Sequence, residues 1–209
     1  MNVLGRFIRD QRGAGAAEFA LILPAALLML FGVIDVGMYA WNLNEYEKAT
    51  QMGARYAVVT DVLSPALLTE SYVGYSCNGA ALVAGDRICA EALGTIRCNA
   101  DGCTCDASLG KCPGGTISPA SNADYQALLA RMRRFQPRIP DNAVTVEYRG
   151  SGLGFADDPN KPEIAPLVTV RVENAAYQPI VLSPFGGQVP LPDFSYSLTL
   201  EDGEGSQSG

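Results

Sequence analysis

The stretch that decides the fold is Gly13-Ala-Gly-Ala-Ala-Glu18-Phe19-Ala-Leu-Ile-Leu-Pro24-Ala-Ala-Leu-Leu-Met-Leu-Phe31-Gly-Val-Ile34-Asp35-Val-Gly-Met-Tyr39-Ala-Trp41. No charge falls between Phe19 and Ile34. Asp35 interrupts, and apolar and aromatic residues resume as far as Trp41. Phe19 to Trp41 spans 23 residues, and a helix needs about 20 to cross the hydrocarbon core. Arg6, Arg9 and Arg12 precede it against one acid, Asp10. That bias predicts a short cytoplasmic N-terminal segment, with the bulk of the chain exported and Tyr39 and Trp41 in the far interfacial belt. A conventional secretory signal has a shorter apolar core that ends at a small-residue cleavage site. A plain signal anchor accounts for the hydropathy and the charge bias but leaves the pattern at Gly13 without a reason.

Composition narrows the function. The chain has 209 residues, no histidine, 22 acidic and 15 basic side chains, and a formal net charge of −7. Without histidine there is no Ser-His-Asp or Cys-His catalysis and no His-based metal site. The acidic balance argues against nucleic acid, which needs clustered Lys and Arg. Apolar residues at 48% and charged ones at 18% exclude wholesale disorder.

Gly13, four small residues and then Glu18-Phe19 match the site cut by prepilin peptidases. The string from Arg12 through Pro24 resembles the TadE-like pseudopilins of tight-adherence (Tad/Flp-type) pilus systems. So does Gly53-Ala54-Arg55-Tyr56-Ala57 downstream, which is similar to that family's "GAR-A" element. The resemblance covers roughly residues 12 to 60. It implies a leader, 1–13, removed after Gly13 by a prepilin peptidase, an intramembrane aspartyl enzyme. Ala14 becomes the new N-terminus, and Glu18 neutralises the terminal amine of a neighbouring subunit. Each piece also has a local reason. Gly13 gives the scissile region a backbone without a side chain, able to extend into a cleft. Glu18 suits the positive end of a helix dipole, although a carboxylate at a membrane edge is costly unless paired. Pro24 removes one backbone hydrogen bond. The resemblance links such a proline to local melting on packing into a fibre, and a tolerated membrane proline is the other reading. Asp35, about 24 Å beyond Phe19, is expected near the outer interface, where snorkelling or pairing with a neighbouring subunit suits it better than proton chemistry.

Leu43, Tyr46, Ala49, Gly53 and Tyr56 recur at spacings of three or four, and no proline occurs between Pro24 and Pro65. One helix is therefore expected from about residue 16 to about 60. Segment 14–41 would lie in the membrane and 42–62 beyond it, with Ala49, Gly53, Ala54 and Ala57 letting a globular head approach closely. The fold class expected is α+β: a long transmembrane helix continuing into a small head with an antiparallel sheet, the lollipop plan of pilins.

Residues 63–122 hold all six cysteines, Cys77, Cys89, Cys98, Cys103, Cys105 and Cys112, without a Cys-x-x-Cys. In an exported segment an even number implies disulfides rather than zinc. Fifteen pairings are open, and Cys103 and Cys105 are too close to pair with each other. A short helix is expected over Asp86 to Arg97. In 123–200, Ser121 or Asn122 should cap a helix with Tyr125, Leu128, Leu129, Met132 and Phe135 on one face. Arg131, Arg133 and Arg134 then form its solvated end. Three strands alternate apolar and polar residues, at 144–149, 168–173 and 194–200, and Tyr177 to Leu182 is a candidate edge strand. Asp157, Asp158, Asn160 and Glu163 lack calcium-loop spacing and read as a solvated turn. Residues 201–209 read as a mobile acidic tail.

The function the resemblance implies is structural: a minor pseudopilin that initiates, primes or caps a Tad-type pilus. It would be held in a bacterial inner membrane with its head in the periplasm, and its partners would be prepilin peptidase, other pilins and the assembly platform. No catalytic role, cofactor or metal is expected. The alternative is a signal-anchored extracytoplasmic binding or adhesin module whose disulfide-stapled loop recognises a ligand.

Overall fold

The structure is a computed structural model that describes residues 14–159 and 162–200. Gly13 and the rest of the expected leader, Asn160 of the acidic cluster and the expected tail, 201–209, lie outside the described residues. The architecture is α+β: a long N-terminal apolar helix, then a head built on a five-stranded antiparallel sheet. Two compact units divide the chain. One comprises residues through Trp41 with Ala176–Val189, the other Asn42–Ala175 with the segment from Pro190 onward.

Helix α1, Ala14–Ala57, runs unbroken for 44 residues with Pro24 inside it. Apolar side chains on all faces make its first half a membrane candidate rather than an amphipathic surface helix. The most apolar 18-residue window has a mean hydropathy of 2.4 and buries nothing within the protein. The helix is long and apolar enough to cross a membrane.

In the second unit α1 changes character. Ala49, Ala54 and Ala57 are buried there. A Cβ placed on Gly53 would lie 2.8 Å from the Met132 sulfur. The small residues of the Gly53-Ala54-Arg55-Tyr56-Ala57 string thus seat helix α3, Ala123–Arg133, against α1. Arg55 itself faces outward. Around this contact, Gln136 donates to Asn42 Oδ1 (3.3 Å) and Glu45 Oε2 (3.1 Å). Tyr46 stacks on Phe194 with ring centroids 5.5 Å apart. The apolar face of α3, Tyr125, Leu128, Leu129 and Met132, is buried as its spacing predicts.

The sheet has strand order β4-β3-β5-β6-β9, every pair antiparallel. The strands are β3 (Thr95–Asn99), β4 (Gly102–Asp106), β5 (Val144–Arg149), β6 (Leu167–Val172) and β9 (Phe194–Thr199). Val144, Val146, Tyr148, Val168, Val170 and Val172 form its buried face. The period-2 reading anticipated β5, β6 and β9. It missed β3 and β4. The helix expected over Asp86 to Arg97 is instead a short 3-10 turn, Ala90–Ala92, followed by β3. Two-residue pairs complete the inventory: β1 (Ser76–Cys77) with β2 (Ala80–Ala81), and β7 (Ala176–Tyr177) with β8 (Val189–Pro190). Tyr177 to Leu182 is therefore strand only at its start. A four-residue helix, α2 (Ala66–Thr69), links α1 to this region.

Two polar groups depart from the expected surface. Glu163 is no part of a solvated turn: it is 2% exposed and accepts from the Tyr72 backbone N–H at 2.9 Å. Glu147 sits on the polar side of β5 yet is buried, because Arg97 (3.1 Å), Arg149 (3.9 Å) and Arg171 (4.0 Å) close over it. Opposite charges on neighbouring strands pair across the sheet.

Burial raises the pKa of several tyrosines. Tyr125 is pushed up to about 12, and its hydroxyl donates to the Asp141 and Val144 carbonyls. Burial drives Tyr72 and Tyr148 higher still, and burial together with a hydrogen bond to Glu70 does the same for Tyr75. Below about pH 10 these phenols are protonated folded or unfolded. As pH rises past that value only the unfolded chain loses their protons, so stability falls with pH up to the folded-state values. Chemical denaturation at pH 8 and pH 11 should therefore give a clearly lower midpoint at pH 11. Tyrosinate absorbance should appear for these residues only upon unfolding. Equal midpoints at the two pH values would contradict the burial.

Candidate functional site

Of the residues singled out near the N-terminus, Ala14, Glu18, Phe19 and Pro24 lie along α1. Glu18 and Phe19 are exposed in its second turn, Phe19 at 64%. Glu18 is the only charged residue in the described part of the helix before Asp35. Pro24 follows within the same helix. Leu21, Ile22, Leu28, Met29 and Val33 are all more than half exposed. What this part of the chain presents is an apolar cylinder with one carboxylate near its start.

Asp35 is placed differently from the expectation. Snorkelling or a neighbouring subunit was to satisfy it; instead, its own chain does. Its Oδ1 accepts from the Ile180 N–H at 2.7 Å and the Tyr177 hydroxyl at 3.2 Å, and its Oδ2 accepts from the Val181 N–H at 3.0 Å. Three donors from a segment some 145 residues away converge on one carboxylate. Tyr39, one turn further along α1, meets the Tyr177 ring edge-on at 5.9 Å. A carboxylate that accepts several hydrogen bonds tolerates a poorly hydrated position far better than a bare one. The sequence held a signal for this partner: the chain has no charge from Ala175 to Pro192, an odd gap for a solvated surface loop.

The six cysteines pair as Cys77–Cys89, Cys98–Cys103 and Cys105–Cys112. The second joins residues that face each other across β3 and β4. The third fastens the end of β4 over the 3-10 turn Ala107–Leu109, where the Gly94 N–H donates to the Lys111 carbonyl at 2.9 Å. All three bridges are local, none separated by more than 12 positions. Glu70 ties this region back to α2: it accepts from the Tyr75 hydroxyl and, at 2.9 Å, from the Gly114 N–H, while Lys111 sits over the Tyr75 ring.

Of the three arginines at the end of α3, Arg133 is not simply solvated. It donates to the Ile139 carbonyl and pairs with Asp141, closing the turn after the helix. Asn122 does not cap α3 through its side chain, which donates to the Ala100 carbonyl instead. Among the described residues, no group of three or more His, Cys, Asp or Glu side chains is arranged to hold a metal ion.

Residues 13–55 match the family model described as TadE-like protein. The match starts at Gly13, takes in Glu18, Phe19, Pro24 and Asp35, and ends within the small-residue string that seats α3. It supports a protein associated with a Tad pilus. No curated protein and no solved structure matches the chain.

Proposed function

We propose, with the TadE-like segment as premise, that this chain acts as a minor pseudopilin of a Tad/Flp-type pilus. A prepilin peptidase cuts it after Gly13. It is held as a single-pass protein of a bacterial inner membrane, with its N-terminus cytoplasmic and its head periplasmic. It acts in initiating, priming or capping the fibre, with other pilins and the assembly platform as partners. The observation that carries this reading is the exposed apolar helix with Glu18 as the one charge in its first 21 residues. Such a helix packs equally well against lipid and against copies of similar helices. A buried carboxylate in that packing requires a cation, and a freshly generated terminal amine on Ala14 of a neighbour supplies it. The role is structural, and no group-transfer chemistry is asked of the chain.

Processing and assembly separate in two variants. Gly13→Leu puts a branched side chain before the scissile bond, so maturation should fall at least tenfold and the Met1 form accumulate. Glu18→Ala should be cut normally and start at Ala14, but piliation should drop severalfold. Intact mass and N-terminal sequencing of membrane-extracted protein read the first effect; counts of surface pili read the second. Normal maturation and piliation in both variants would overturn the proposal and leave an anchored extracytoplasmic module.

A further inference from the structure

The segment Gln178–Gln188 is not used by the function proposed above. Its position on the helix is set by Asp35, which holds the Ile180 and Val181 N–H groups. Trp41 lies six residues beyond Asp35, about 9 Å along the axis. The loop thus meets the helix inside the apolar stretch bounded by Phe19 and Trp41 rather than past its end. Irregular backbone at such a level is tolerated only where its polar groups are satisfied. Here they are. Pro179 and Pro184 have no N–H. Ile180 and Val181 donate to Asp35, Ser183 to the Pro179 carbonyl, Phe185 and Gly187 to the Leu182 carbonyl, and Gly186 to the Ser183 carbonyl. Gly186 allows the tight reversal by taking φ +72°.

The side chains point to the same medium. Phe185 is 85% exposed, more than any other large apolar residue described, and Ile180 and Leu182 are 49% and 43% exposed. The whole run from Ala175 to Pro192 is uncharged. Water selects against such a surface, whereas the headgroup–acyl boundary of a bilayer favours it, with aromatic rings at that depth.

We propose that this loop is a second membrane contact: Ile180, Leu182 and Phe185 lie in the lipid leaflet toward the end of the apolar stretch remote from Glu18, held there by Asp35. The proposal rests on α1 spanning the bilayer, and the test separates the two claims. The full-length, disulfide-bonded protein carries a single tryptophan, Trp41, so Trp41→Phe gives a silent background. Into it go Phe185→Trp, Ile180→Trp as an independent loop reporter, and Phe31→Trp as the span reporter. Each is reconstituted in phosphatidylcholine vesicles with bromines at acyl positions 6,7 or 11,12. The loop reporters should lose at least half their fluorescence to the 6,7-bromines, respond less to the 11,12-bromines, and resist aqueous acrylamide. Phe31→Trp should respond most to the 11,12-bromines.

Loop reporters open to acrylamide and untouched by bromine would overturn the proposal while the span stands. So would blue-shifted loop emission insensitive to both quenchers, which means that a second copy of the chain covers the loop. A Phe31 reporter that no bromine quenches would remove the span itself, and the loop's placement with it.

Discussion

Reduction of the three disulfides is expected to unfold the head. The bridges close loops of 12, 5 and 7 positions, and chain-entropy arguments assign them about 3, 2 and 2 kcal/mol. Together that is about 7 kcal/mol, against about 5–15 kcal/mol for the stability of a whole domain. The segment they fasten has little else to hold it. The β1 and β2 strands are two residues each, and the 3-10 turns Ala90–Ala92 and Ala107–Leu109 are three residues each. Denaturant unfolding in detergent, with and without dithiothreitol, should show a large fall in midpoint on reduction. Near-ultraviolet tyrosine signals report the effect best, because α1 keeps its far-ultraviolet signal. Replacing Cys77 and Cys89 together by serine should cost most, having the longest loop, and replacing Cys98 and Cys103 least. Stability unchanged to within about 1 kcal/mol after full reduction would remove the bridges as the staple of this region.

Gly154→Ala is the point substitution expected to do most harm. Gly154 takes φ +121°, and a Cβ there would stand 2.1 Å from the Glu163 carbonyl oxygen. Neither partner can yield, because both belong to a bonded backbone crossing. The Gly154 carbonyl accepts from the Ile88 N–H at 3.1 Å, and the Glu163 carbonyl accepts from the Phe155 N–H at 3.1 Å. Ile88 and Ile164 are fully buried beside it, and the Glu163 side chain holds the Tyr72 backbone. Overpacking costs about 1–3 kcal/mol and the backbone strain a further ~1–3 kcal/mol, so a loss of about 4 kcal/mol and a Tm lower by ~10 °C are expected. Gly152→Ala is the internal control. Its φ is also positive, +78°, but its nearest neighbour would be 3.7 Å away, so only the strain applies. A Gly154→Ala protein that melts with the Gly152→Ala one would show that the crossing does not exist as described.

The elements legible in the sequence were those whose pattern is local. Helix α1 announces itself because apolar residues on every face leave no strand or surface helix as an option. The β5, β6 and β9 strands show as alternating valines, tyrosines and leucines. The β3 strand was hidden because Ile88, Ala92, Leu93 and Ile96 imitate a helical face, while Cys89 is in fact pulled toward Cys77 and the chain turns extended at Thr95. The β4 strand, Gly102–Asp106, carries cysteines and small polar residues and has no apolar alternation to read. Its pairing follows from β3 and the Cys98–Cys103 bridge rather than from its own composition. Asp35 and Glu163 illustrate the other limit. Each was visible as a carboxylate, but their partners, Ile180 and Tyr72, are 145 and 91 positions away, and no local spacing encodes such meetings.

With the loop in the leaflet, as proposed above, its grip on Asp35 would turn the helix into a gauge of bilayer thickness. Glu18 and Asp35 are 17 residues apart, about 26 Å of helix. A bare apolar helix adjusts to a thicker membrane by standing upright or sliding until its ends reach water. This one carries a collar of backbone and apolar side chains at a fixed height, so sliding would drag the collar through the leaflet. On that proposal the lipid conforms to the protein instead. The chain should therefore sort into membranes whose hydrocarbon layer is close to that length, and thin the surrounding bilayer where it is not.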